Sequence, residues 1–192
     1  MTATARHAYH RFVRAAHDAV AVQERQWRSH VRRHATSDFG RQNGFDRIAS
    51  YDDFRRALPV ADYRAFAPAI ERMRRGEFRA LLGPRQRVLM FALTSGTTAE
   101  PKYIPVTDEF LRAYRRGWNI WGHKTLLDHS DAYFRGIVQI TSPMREHESE
   151  AGIPCGAITG ILAATQLPIV RRYYIAPGIV ADIHDSSAKH YT

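Results

Sequence analysis

The sequence predicts an α/β fold, in which a helical front segment is followed by units of strand, loop and helix. Three observations predict it. Apolar residues recur at helical spacing from about Arg6 to Arg33, at Tyr9, Phe12, Val13, Ala16, Val20, Trp27 and Val31. Val88-Leu89-Met90-Phe91-Ala92-Leu93 is a continuous apolar run of strand length, which suits a strand buried on both faces. A small polar loop follows, and then Thr107 with Asp108 and Glu109, the pattern of a capped helix start.

In chain order, the first segment is expected to be one long amphipathic helix whose other face carries Arg11, Arg14, Arg25, Arg28 and Arg32. Thr36 to Gly44 contains two glycines and reads as a loop. Tyr51 to Leu58 is a short helix ending before Pro59. Asp62 to about Arg75 is another, interrupted near Pro68 and stopped at Gly76. Gly83-Pro84 then marks a turn. After the apolar run come the loop Thr94 to Lys102 and a second short apolar piece, Tyr103 to Val106. The capped helix continues through Leu111, Tyr114, Trp118, Trp121 and Leu126, with both tryptophans expected in the core. Phe134 to Ile140 is a second strand candidate, and Met144 to Gly156 a polar loop with an acidic patch. Ile158 to Ala164 is a short buried helix. Strand, loop, helix and strand in that order mark the α/β class.

Composition narrows the functional classes. The chain has 192 residues, 44% of them hydrophobic, so a packed core is within reach. One cysteine, Cys155, excludes an internal disulfide and any multi-cysteine metal cluster. A thiol nucleophile needs a base beside it, and none is identifiable, so Cys155 reads as a structural thiol near the interior. No stretch reaches the roughly 18 apolar residues that span a bilayer. The N-terminus lacks the apolar core of a secretory signal, which points to the cytoplasm and away from a membrane partner.

Basic residues number 28 and acidic ones 19, and the whole excess of +9 lies in residues 1–87. Signs are interspersed there and no nucleic-acid-binding motif is present, so the excess reads as a solvated helical face. A basic helical protein that binds nucleic acid without catalysis is the alternative of a different class. Only three basic residues are lysines: Lys102, Lys124 and Lys189. Of the ten histidines, His30 and His34 could share a helical face, but the zinc motif H-E-x-x-H is absent and both read as solvent-facing.

The candidate site is Thr94-Ser95-Gly96-Thr97-Thr98-Ala99-Glu100-Pro101-Lys102. Hydroxyls and free backbone N–H groups in a tight loop can surround a phosphate chain. Gly96 allows close approach of the backbone, and Lys102 adds a point charge. The loop is not a Walker A motif, which needs a second glycine directly before its lysine. The residues alone are also compatible with an ordinary Ser/Thr-rich turn.

This loop resembles the phosphate-binding motif of the adenylate-forming superfamily, [ST]-S-G-[ST]-[ST]-x-x-x-K. A longer series of segments resembles the GH3 (auxin-responsive promoter) acyl-acid amido synthetases, in their bacterial form. It comprises Phe39-Gly40 with Gly44-Phe45, Tyr51–Arg55, Pro59–Tyr63, Ile70–Glu77, Phe91–Thr98, Pro101–Val106, Ser142–Glu146 and Gly152–Gly156.

The resemblance implies the N-terminal part of the large adenylate-forming, acyl-CoA synthetase-like domain. Residues 1–87 would be an Arg-rich helical segment, and 88–192 an incomplete α/β core carrying the ATP loop. Thr94, Ser95, Gly96, Thr97, Thr98 and Lys102 would bind the β- and γ-phosphates of ATP, with Mg²⁺ as companion. The activity implied is adenylation of a carboxylic acid and transfer of the acyl group to an amine such as an amino acid. Transfer to a thiol, of coenzyme A or a carrier, is the alternative outcome. The family's remaining catalytic loops lie beyond the matched region. The chain is therefore expected to be a fragment, roughly the first third of an enzyme, with no ligase activity alone and no catalytic or metal-binding residue of its own.

Overall fold

The computed structural model describes residues 3–94, 101–131, 135–139, 141–166, 168–175, 180, 183 and 188. It has the expected α/β arrangement, with helices first and strand–helix units after. Five helices precede the sheet: α1 (Ala3–His17), α2 (Ala19–His34), α3 (Asp38–Gln42), α4 (Tyr51–Ala57) and α5 (Ala67–Arg74). Single 3-10 turns lie at Phe45–Arg47, Tyr63–Ala65 and Phe78–Ala80. Then come β1 (Val88–Thr94), β2 (Lys102–Thr107), α6 (Asp108–Asp128), β3 (His147–Glu148), β4 (Pro154–Gly156), α7 (Ile158–Ala164) and α8 (Pro168–Arg171).

The sheet order is β2-β1-β4-β3. β1 pairs antiparallel with β2 and parallel with β4, and β3 pairs antiparallel with β4. The continuous apolar run is explained by a core on each face of β1. On one side Val88 and Phe91 pack with Met73, Ala80, Leu82 and Cys155. On the other, Met90 and Ala92 pack with Val106, Leu111 and Ile161. Strict alternation would put Val88 and Met90 on one face. A register shift between them, where Val88 pairs with Thr107 and Met90 with Val106, inserts one residue and turns Val88 to the other side.

Helix ends follow local chemistry. Thr107 caps α6 by accepting the Phe110 N–H at 3.1 Å. Ser50 and Asp53 form a reciprocal capping box on α4, and the Ser50 hydrogen bonds hold the Asp53 carboxyl down at about 2. Gly76 ends the α5 region with φ 98°, a conformation that favours glycine.

Several expectations are corrected. The first helix is two, broken at Asp18 (φ −117°, ψ 44°), whose carbonyl accepts the Val22 N–H to start α2. The break lets α1 lie against α6. Thr36 to Gly44 is not all loop, because Ser37 caps α3 by accepting the Gly40 N–H. Met144 to Gly156 holds β3 and β4, strands too short to show a period. Of the 134–140 strand candidate, residues 134 and 140 lie outside the described residues, and 135–139 show one parallel bridge, Ile137 to Tyr174. Trp118 and Trp121 are 51% and 60% exposed, and Leu111 is the buried residue of α6.

His34 is likewise not a solvent-facing residue. Its Nδ1 accepts the Gly83 N–H at 3.0 Å, joining the end of α2 to the turn before β1. Burial, the neighbouring His30 and Arg33 lower its pKa, and Glu109 opposes them weakly. Arg33 pairs with Glu109, which also accepts from Gln86 at 2.7 Å. Among the described residues no helix is long and apolar enough to cross a membrane.

Two predictions follow from the packing. A Cβ at Gly160 would lie within 2.6 Å of the Met144 Cα, whereas one at Gly117 meets nothing within 4 Å. Gly160→Ala should therefore cost about 3 kcal/mol in denaturant unfolding, and Gly117→Ala, in the exposed interior of α6, should gain about 1 kcal/mol. The second concerns His34, whose folded pKa lies below its ordinary 6.5. The contribution of its neutral form is whole above that value and is lost as pH falls through the folded pKa. Between about pH 7.5 and about pH 5 the thermal midpoint should drop more in the native chain than in His34→Asn, whose amide oxygen can accept the same N–H without titrating. Equal drops would refute the assignment.

Candidate functional site

The loop expected to carry chemistry joins β1 to β2. Of its six candidate residues, Thr94 and Lys102 are described, and Ser95, Gly96, Thr97 and Thr98 lie outside the described residues. Thr94 ends β1, Lys102 begins β2, and the two are register partners in the antiparallel pair. Pairing therefore closes the base of the loop at these two residues. Both are exposed, while three residues back along β1 Phe91 is fully buried. The two ends of the loop thus stand exposed just beyond a buried, apolar stretch of β1.

β2 forms the edge of the sheet, and its free side is met by the front segment. The Tyr63 hydroxyl accepts the Tyr103 N–H at 3.0 Å and donates to the Tyr103 carbonyl at 3.3 Å. Tyr63 belongs to a 3-10 turn whose cap, Asp62, accepts the Arg64 N–H at 2.9 Å. The Lys102 ammonium lies 5.7 Å from the Tyr63 ring centroid. Among the described residues Lys102 has no carboxylate partner, in contrast to Lys124, which pairs with Asp128.

Beside Lys102, Tyr103 is held on three sides. Its ring meets Phe91 edge-on at 6.4 Å, the Arg74 guanidinium lies 4.1 Å from its centroid, and its hydroxyl is 3.1 Å from His147 Nε2. Arg74 also donates to Glu71 at 2.7 Å, while its Nε is buried with no hydrogen-bond partner among the described residues. Cys155 lies beneath, fully buried, and burial pushes its thiol pKa up, against the pull of Arg74. A buried protonated thiol fits the structural role expected of it. Among the described residues no group of three or more His, Cys, Asp or Glu could hold a metal.

The two ends of the loop are legible in the sequence, whereas the approach of Tyr63, Arg74 and His147 to Tyr103 beside Lys102 is not. Tyr63 lies in the segment Pro59–Tyr63 that carries the resemblance, which was the one available signal. Nothing local links it to a loop some forty residues on.

Residues 8–192 match the GH3 family N-terminal domain. No curated protein matches the chain. Among solved structures, the fold is similar to a GH3.15 acyl acid amido synthetase, with TM-score 0.67 and 20% identity over 85% of this chain. It is also similar to an AtGH3.15 acyl acid amido synthetase in complex with 2,4-DB, with TM-score 0.59 and 23% identity over 71% of this chain. The chain spans 29% and 24% of those two structures. At such identities they show a shared fold, and the family is carried by the domain match. With that match covering all but the first seven residues, the chain belongs to the GH3 family and represents its N-terminal domain.

Proposed function

We propose that this chain supplies the ATP-gripping part of an acid–amine ligase. In this reading the enzyme activates a carboxylic acid with ATP and passes the acyl group to an amine such as an amino acid. The observation that carries the reading is the pairing of Thr94 with Lys102 across the β1–β2 hairpin. It brings together the two ends of a loop whose sequence has the adenylate-forming pattern, with an ammonium at the mouth that has no carboxylate partner among the described residues.

Thr94, Ser95, Gly96, Thr97, Thr98 and Lys102 would hold the β- and γ-phosphates. Hydroxyl and backbone N–H donors would orient the pyrophosphate portion, and the ammonium would offset charge that builds there as the acid attacks. Mg²⁺ enters as a companion of the phosphates rather than as an ion bound by a described cluster. In the same reading, residues 1–87 form an Arg-rich helical segment and 88–192 part of the α/β core. Amine transfer is preferred to thiol transfer because amide synthesis is the activity named for both similar structures.

Saturating Mg²⁺-ATP should slow amide hydrogen exchange in residues 94–102 of the intact chain and leave α4 unchanged. Lys102→Ala should weaken ATP binding about tenfold or more, the worth of one charge-assisted hydrogen bond. An exchange pattern identical with and without ATP would overturn the reading.

A further inference from the structure

The contact between Tyr63 and the start of β2 joins segments 40 residues apart, and it uses both ends of one side chain. The hydroxyl engages both backbone polar groups of Tyr103, its N–H and its C=O, as a residue of a neighbouring strand would, on the outer side of the edge strand. The ring lies under the ammonium of Lys102, the preceding residue, at a distance where a cation is drawn to an aromatic face. A lysine side chain has four rotatable bonds and loses considerable freedom when it is held. An aromatic surface beside it narrows that freedom without neutralising the charge, which a carboxylate would do.

We propose that Tyr63 is a positioning residue for the phosphate loop. Its hydroxyl fixes the backbone at the root of β2, and its ring holds the Lys102 ammonium at the loop mouth, so that the front helical segment sets the geometry of the anion site. The role rests on the nucleotide reading above. It differs from that reading in requiring that Lys102 be held before any nucleotide arrives.

The three lysines of the chain make this measurable, because ¹³Cε-lysine labelling gives three signals and Lys102→Met assigns one of them. In the free protein the Lys102 signals should carry a ring-current shift that Tyr63→Leu abolishes and Tyr63→Phe, which keeps the ring, largely retains. Lys124 and Lys189 should not move, which also reports that the variants are folded. Tyr63→Phe should weaken Mg²⁺-ATP binding several-fold and Tyr63→Leu about tenfold, in the range of one hydrogen bond plus one cation–ring contact. In a Lys102→Met background, Tyr63→Leu should change affinity by less than about twofold, since coupled residues are not additive.

A Lys102 signal indifferent to Tyr63→Leu would overturn the proposal whatever ATP does. So would losses of affinity that add independently of Lys102, which mark a merely structural tyrosine. If the Lys102 signal depends on Tyr63 but the native chain binds no ATP, the nucleotide reading fails and takes the positioning role with it. Should Tyr63→Leu fail to fold, the affinity of Tyr63→Phe alone and combined with Lys102→Met decides the question.

Discussion

The structure hangs on β1. A seven-residue strand buried on both faces must hydrogen-bond along both edges, because unpaired backbone groups inside a protein are costly. Its two edges are satisfied differently. β2 returns directly as the other arm of a hairpin, while β4 arrives from more than 50 residues later and runs parallel. Each arrangement has a structural consequence. The hairpin closes the loop at Thr94 and Lys102, and the parallel partner carries Cys155 into the core beside Phe91.

The Arg-rich front segment meets this strand by two routes. One is apolar, with Met73, Ala80 and Leu82 completing one of the two cores. The other is polar and concentrated at the end of α2. There the His34 carbonyl accepts from the Ser37 backbone and hydroxyl, the His34 ring accepts from Gly83, and Arg33 pairs with Glu109 of α6. Gly40 and Gly83 both sit where a Cβ would collide with carbonyls of this corner, at His34 and Arg33 respectively. The close backbone approach therefore depends on glycine, and with it the seating of the helices on the sheet. Tyr63 extends the same docking to the far edge, where the loop ends in β2.

Much of this was legible locally. The apolar run became β1, Thr107 capped α6 as its hydroxyl and the acidic first turn implied, and Ile158–Ala164 is a helix with those bounds. Other expectations failed for identifiable reasons. Pro154-Cys155-Gly156 has neither strand propensity nor length, and is a strand because β1 offers it an edge. The helical period around Asp18 is continuous in the sequence, yet the chain turns there and α1 packs on α6. Trp118 and Trp121 continue an apolar stripe, but the stripe is wider than the surface that covers it.

The sequence by itself determined the α/β class, the strand that is buried on both faces, the Thr107 cap of α6, and the loop whose residue pattern marks the family. These depend on short-range periodicity and on hydrogen bonds between residues three or four apart. Tertiary structure alone decided the strand order, the exposure of the tryptophans, the hydrogen-bonded state of His34, and the meeting of Tyr63 with Lys102. Those outcomes depend on which distant surfaces come together. A side chain carries its chemistry in its own formula, but its partner is supplied by the fold.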